Sequence, residues 1–173
     1  MRIRPSVPLW AAFGALLLLV GPALGADTKA TTQRKGSGLP IPRFATLKSD
    51  EVNVRTGPGS RYPIDWVFKR KGMPVEIVAE YENFRKIRDW QGASGWVYQG
   101  LLTGKRSFII PSKVAKLYKT PAASAEVIAK LEPEVMGEIR SCQGDWCRVK
   151  VSSVSGWLPR TEIWGVYKSE PVN

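Results

Sequence analysis

Glu51-Val52-Asn53-Val54-Arg55-Thr56-Gly57-Pro58-Gly59 leads, through further strand-like runs, to Gly95-Trp96-Val97; Ala115-Lys116-Leu117-Tyr118-Lys119-Thr120-Pro121 leads likewise to Gly156-Trp157-Leu158. A chain that repeats itself in this way is built from two copies of one small unit. In the first copy Val52 and Val54 alternate with Asn53 and Arg55, as in a strand with one buried face, and Thr56-Gly57-Pro58-Gly59-Ser60 breaks that strand into a loop. Trp66-Val67-Phe68 is a second strand, and Val75 to Tyr81 a third with Val75, Ile77 and Ala79 on one face. Glu82-Asn83 turns the chain into Phe84 to Trp90, and Gln91-Gly92-Ala93 turns it again into Gly95-Trp96-Val97. Five short strands, tight turns, one long early loop and no helical periodicity predict a small barrel.

The second copy keeps this order: Ala115 to Tyr118, Val127 to Leu131, a turn at Glu132-Pro133, Val135 to Cys142, and Trp146 to Val151 before Gly156-Trp157-Leu158. Its early loop, Lys119 to Glu126, lacks the Gly-Pro-Gly and is expected to differ in conformation. Lys105 to Lys113, with Phe108-Ile109-Ile110-Pro111, reads as an extended connector apolar enough to make the two barrels touch.

Ahead of the repeats, Arg2 and Arg4 precede the apolar run Leu9 to Val20, and Ala23-Leu24-Gly25 stands before Ala26. This reads as a cleaved export signal over 1–25, which would leave no membrane span. The alternative is an uncleaved inner-membrane anchor, because Val7 to Leu24 approaches the roughly 18 apolar residues of a span. Either reading places the rest outside the cytoplasm, periplasmic or secreted. The expected domains are then 1–25 signal, 26–48 flexible linker, 49–104 first barrel, 105–113 connector and 114–168 a divergent second barrel. The linker assignment rests on a composition of Ala, Thr, Lys, Gly, Ser and Pro without apolar periodicity.

Val52-Asn53-Val54-Arg55-Thr56-Gly57-Pro58-Gly59, followed by Val75-Glu76-Ile77-Val78 and Gly95-Trp96-Val97, resembles the bacterial SH3 (SH3b) domain. The likeness is strong over Glu51 to Leu102 and looser over Ala115 to Ile163. The resemblance implies an all-β chain of two tandem five-stranded SH3-like barrels. It also implies binding of cell-wall peptidoglycan or of peptides, a role that such domains often fill beside a hydrolase domain. The arrangement is similar to exported tandem SH3 proteins of Gram-negative bacteria.

Composition narrows the chemistry. The formal net charge is +11, spread along the chain without a concentrated stripe, which gives weak attraction to polyanions and not a nucleic-acid footprint. With no histidine, the commonest general base and metal ligand are missing. Glu76, Glu80, Glu82 and Asp89 fall on strands or turns of a barrel too small for a deep cleft, so no catalytic pair is expected. No catalytic residue, cofactor or metal is assigned. Gly57-Pro58-Gly59 lacks the Gly-Lys-Ser/Thr of a phosphate loop and reads as loop-shaping, its glycines free to take positive φ.

Cys142 and Cys147 flank Gln143-Gly144-Asp145-Trp146, read as a four-residue hairpin turn. That spacing sets the two side chains opposite each other in an oxidising compartment and predicts a structural disulfide. The candidate ligand-binding residues are Arg55 and Arg61 beside the early loop, Tyr62, Trp66 and Trp90 as exposed rings, and Trp96, whose place after a glycine suits either rim packing or ligand contact. The expected function is a non-enzymatic periplasmic protein that binds peptidoglycan or its stem peptides. The alternatives are an envelope adaptor with a protein partner or a membrane-tethered scaffold. The first barrel is expected to recognise and the second chiefly to support.

Overall fold

A computed structural model describes residues 36–173; the expected signal and residues 26–35 of the expected linker lie outside the described residues. The chain is all-β, in two sheets that follow one another in sequence. The first holds β1 (Arg43–Leu47), β2 (Val52–Arg55), β3 (Ile64–Phe68), β4 (Pro74–Tyr81), β5 (Phe84–Arg88), β6 (Ser94–Tyr98) and β7 (Leu102–Thr103), in spatial order β3-β2-β6-β5-β4-β1-β7. The second holds β8 (Ser107–Ile109), β9 (Ala115–Tyr118), β10 (Val127–Leu131), β11 (Met136–Gln143), β12 (Trp146–Val151) and β13 (Val154–Pro159), in order β10-β9-β13-β12-β11-β8. Among the described residues no helix is long and apolar enough to cross a membrane.

The two sheets share one strand order, with β7 alone lacking a counterpart. β4 and β5 pair Ile77 with Ile87, slip by one residue at a bulge, and resume with Ala79 opposite Lys86. β11 and β12 pair Ile139 with Val149, slip at the same point, and resume with Ser141 opposite Arg148. After β6 and β13 the chain makes one 3-10 turn, Gln99–Leu101 and Arg160–Glu162 respectively. The alternation read from the sequence fills the cores with Val52, Val54, Val75, Ile77, Ile87 and Val97 in the first and Ala115, Leu117, Ile139, Val149 and Leu158 in the second, but Ala79, expected on the face of Val75 and Ile77, is moved by the bulge to a place opposite Lys86.

The first copy has two more strands than the sequence suggested, β1 and the two-residue β7, and the second has one more, β8. β1 lies inside the segment expected to be a flexible linker, and β8 inside the expected connector. Ala45 and Leu47 belong to the first core, Phe108 and Ile110 to the second. The reason β1 escapes a period-two reading is that it is covered on both faces, so Phe44, Ala45, Thr46 and Leu47 are all buried. Phe44 stacks edge-on against Trp164 at 4.8 Å and leans on Tyr167 at 4.7 Å, while Thr46 Oγ1 lies 2.6 Å from Ser107 Oγ. The barrels touch, as expected. Met136 packs on the first core, Arg70 donates to the Glu134 carbonyl at 2.9 Å, and the Tyr167 hydroxyl donates to Glu76 Oε1 at 2.7 Å. Burial, followed by that hydrogen bond, pushes the Tyr167 phenol above its ordinary range.

Cys142 and Cys147 form the expected disulfide, on paired positions of β11 and β12. The hairpin is tighter than the sequence reading had it, because Gln143 pairs with Trp146 and leaves only Gly144-Asp145 as the turn, with Gly144 at φ 52°. At the matching register of the first copy stand Glu80 and Arg85, whose Oε1 and Nε are 3.1 Å apart with both side chains buried. One fold position therefore carries a covalent staple in one barrel and an ion pair in the other. Cys142→Ala with Cys147→Ala should cost about 2 kcal/mol, the loop-closure value for so short a loop, read as a fall in urea midpoint against the oxidised chain.

Candidate binding face

Cross-strand register decides which side chains share a surface, since opposed residues lie on the same face of a sheet. In the first barrel Arg55 opposes Trp96, and Trp96 opposes Lys86 on its other side. The next row brings Tyr98 opposite Phe84 and Phe84 opposite Tyr81. Gly95 and Val97, which flank Trp96, point into the core, so this set faces outward. The rings of Phe84 and Tyr98 meet edge-on at 5.9 Å, and Tyr81 and Tyr98 are exposed. The result is a strip of aromatic rings crossed by a row of cations.

The early loop borders this strip and is tied to it by Arg55. Arg55 Nη1 donates to the carbonyls of Ser60 at 3.1 Å and Tyr62 at 2.8 Å, and the Thr56 amide donates to the Pro63 carbonyl at 3.1 Å. Arg55 thus braces the loop from a position opposite Trp96. Arg61 is exposed, its guanidinium 5.4 Å from the centre of the Tyr62 ring. The loop glycines serve a different purpose from the one expected. Neither Gly57 nor Gly59 takes a positive φ; instead the Tyr62 ring lies so close to Gly57 that a Cβ there would sit 2.3 Å from its Cδ1.

Arg55, Arg61, Tyr62 and Trp96 are therefore neighbours, and the other two candidates are not. Trp66 opposes Val54, so it faces the core side, where it packs edge-on with Phe68 at 6.0 Å. Trp90 is half-buried against the same core. Both were expected as exposed rings; an aromatic at the rim of a barrel this small is drawn into the core because few other side chains can cover its end. The acidic residues are in structural bonds. Glu76 accepts from Arg88 Nε at 2.8 Å and from Tyr167. Asp89 Oδ1 accepts from the amides of Gln91 at 3.0 Å and Ala93 at 2.8 Å, which makes the turn into β6.

The second barrel carries its own version of the strip. Trp157 opposes both Tyr118 and Arg148, the counterparts of Arg55 and Lys86, and Trp146 stands where Phe84 does. Tyr118 and Trp146 meet edge-on at 5.3 Å. Tyr81, Phe84, Lys86 and Tyr98 in the first barrel, and Tyr118, Trp146 and Arg148 in the second, were not among the candidates, whereas Trp157 follows a glycine as Trp96 does and shares its two readings, packing or ligand contact. Parity was the signal for them: each stands an even number of residues from an outward-facing neighbour on its strand. Flat rings beside cations suit stacking on sugar faces and pairing with carboxylates.

The family model of the bacterial SH3 domain matches residues 48–104 and 112–165. Among curated proteins, the chain is 27% identical over 125 residues to YrvJ of Bacillus subtilis (strain 168), whose name is that of an N-acetylmuramoyl-L-alanine amidase; the match covers 66% of this chain and 24% of YrvJ. Among solved structures it is similar to NlpC2 from Trichomonas vaginalis, at 12% identity and TM-score 0.35, over 76% of this chain and 51% of that one. An NlpC/P60 family protein from Bacillus cereus ATCC 10987 gives 15% identity and TM-score 0.32, over 70% of this chain and 55% of that one. The chain thus spans about a quarter of the curated relative and about half of each solved structure.

Proposed function

The chain belongs to the bacterial SH3 domain family, and from that premise we propose a periplasmic, non-enzymatic protein that binds peptidoglycan or its stem peptides. The observation that carries this reading is the strip on the first barrel, where Trp96 lies between Arg55 and Lys86, with Phe84 and Tyr98 alongside. Rings supply area for the apolar faces of sugars, and the cations meet the carboxylates of a stem peptide. A relative whose name is that of an N-acetylmuramoyl-L-alanine amidase supports the same ligand class. The matching strip at Tyr118, Trp146 and Trp157 makes the second barrel a second contact for the same polymer. Two weak contacts on one chain raise retention by effective concentration without any new interaction.

The test is retention by insoluble murein at low salt. The full chain is expected to sediment with the polymer, and Trp96→Ala to reduce retention about tenfold, the loss typical of a central aromatic anchor. Arg61→Ala should weaken it less, as an exposed charge does. No retention of the unsubstituted chain at low salt would sink the reading. A stoichiometric protein partner on co-purification, with no murein binding, would replace it with the envelope adaptor.

A further inference from the structure

The barrels enclose between them a half-open cleft of about 720 Å³ that is separate from both aromatic strips. Its charged lining is Lys48, Lys71, Lys105, Arg106, Glu138 and Arg140. Two of these cations are already matched: Arg140 pairs with Glu138 at 2.5 Å, and Arg106 is held by Glu170 and the Gly165 carbonyl. The ammonium groups of Lys48, Lys71 and Lys105 have no hydrogen bond or ion pair to any described residue. Three positive charges are thus left over around one cavity.

The walls strengthen that excess. Leu47, Met136, Ile139 and Val172 supply apolar surface, a low-dielectric wall that focuses the field of the lysines into the space. The geometry is set before any ligand arrives. Thr46 Oγ1 bonds the Lys105 carbonyl at 2.6 Å, the Lys48 amide bonds the Leu101 carbonyl at 2.8 Å, and the Gly72 amide bonds the Leu47 carbonyl at 2.9 Å. A Cβ built on either Gly72 or Gly104 would meet nothing within 4 Å, so these positions leave the cleft open.

We propose that this inter-barrel cleft is an anion site for phosphate groups, held by Lys48, Lys71 and Lys105. Apart from the buried Arg106 Nε, which has no acceptor, the unmatched charges are the compact ammoniums of the three lysines. Such donors suit the tetrahedral, multiply charged phosphate better than the planar carboxylate that Arg recognises in bidentate fashion. The phosphate is either borne by a lipid headgroup or carried by a soluble or polymeric ester, and the site is independent of murein binding at the strips.

The full chain is titrated with inorganic pyrophosphate and followed by amide chemical shifts, with vesicles of phosphatidylglycerol and phosphatidylcholine in equal parts as a second arm. Saturable shifts concentrated at Lys71, Gly72, Gly104 and Lys105 are expected, and Lys48→Gln with Lys71→Gln and Lys105→Gln should lower affinity about tenfold. Gly104→Glu guards against a folding artefact, since its side chain has room and its φ is ordinary; the added carboxylate should occupy the lysines and abolish binding. Binding of pyrophosphate alone that Gly104→Glu abolishes assigns a soluble or polymeric phosphate, and vesicle retention that it abolishes assigns a headgroup. Shifts scattered over distant lysines such as Lys116, Lys130 and Lys150, or binding in both arms that Gly104→Glu leaves unchanged, overturn the site.

Discussion

Glu80→Ala is expected to destabilise the first barrel by about 2 to 3 kcal/mol, because it leaves the buried Arg85 without its countercharge. Glu80 gathers four bonds. The Ser37 amide and hydroxyl reach its carboxylate at 2.5 and 2.7 Å, Arg43 Nη2 at 2.5 Å and Arg85 Nε at 3.1 Å. Burial acts to raise the carboxyl, but the bonds from Ser37 and Arg43 outweigh it and hold it down at about 2. A carboxyl whose pKa is lower in the folded chain than in the unfolded one stabilises the fold above the ordinary value of 4.5, and that contribution is lost as pH falls toward 2. Glu80→Gln should therefore flatten the acid limb of the stability profile between those limits, measured as urea midpoint against pH. A midpoint unchanged by Glu80→Ala would show that the ion pair contributes nothing net. The matching register of the disulfide adds a sharper arm: Glu80→Cys with Arg85→Cys should oxidise to a cross-strand disulfide and recover the loss.

Position 80 also shows what the sequence could and could not disclose. The disulfide was legible because cysteines are rare here and five residues apart, a spacing with one simple reading. The ion pair at the same place was not, since one Glu and one Arg among many charged residues carry no mark of being buried. Strand order in both copies could be read from period-two alternation, which holds wherever one face is wet. It failed for β1 and β8, where the other barrel covers the second face and alternation disappears.

The binding face was legible in part for a related reason. Residue type suggested Trp66, Trp90 and Trp96 alike, but only register separates the outward Trp96 from the two that turn toward the core. Arg55 was singled out for its charge, and it proves also to brace the early loop through two carbonyls. Substituting it would disturb loop and face together, so Trp96 and Lys86 are the cleaner probes. The expectation of one recognising and one supporting barrel rested on the Gly-Pro-Gly loop and most of the candidate aromatics lying in the first copy, and on a shortened signature with a disulfide in the second. In the first barrel that motif accommodates Tyr62, whereas the aromatic strip of the second is built by β9, β12 and β13, none of which the loop change touches.

Gly156→Ala should cost about 2 to 3 kcal/mol, and Gly95→Ala somewhat less. Both glycines precede the Trp of an aromatic strip, and both stand where β13 meets β9 or β6 meets β2 through a single paired register. A Cβ at Gly156 would lie 2.7 Å from Leu117 Cγ and 2.8 Å from the Tyr118 carbonyl oxygen; backbone cannot step aside, so the strands must separate. At Gly95 the nearest atom is Val54 Cγ1 at 2.4 Å and the Arg55 carbonyl oxygen is at 3.1 Å, so strain falls first on a core side chain. Denaturant unfolding followed by tryptophan emission should place the Gly156→Ala midpoint below that of Gly95→Ala, with both below the parent. The reverse order would mean that the packed Val54 side chain resists more than the Tyr118 backbone. Since the same contact sets Trp157 beside Tyr118 and Trp96 beside Arg55, the glycine at each of these strand contacts also aligns the outer strip. Murein retention should accordingly fall in both variants even at temperatures where each remains folded.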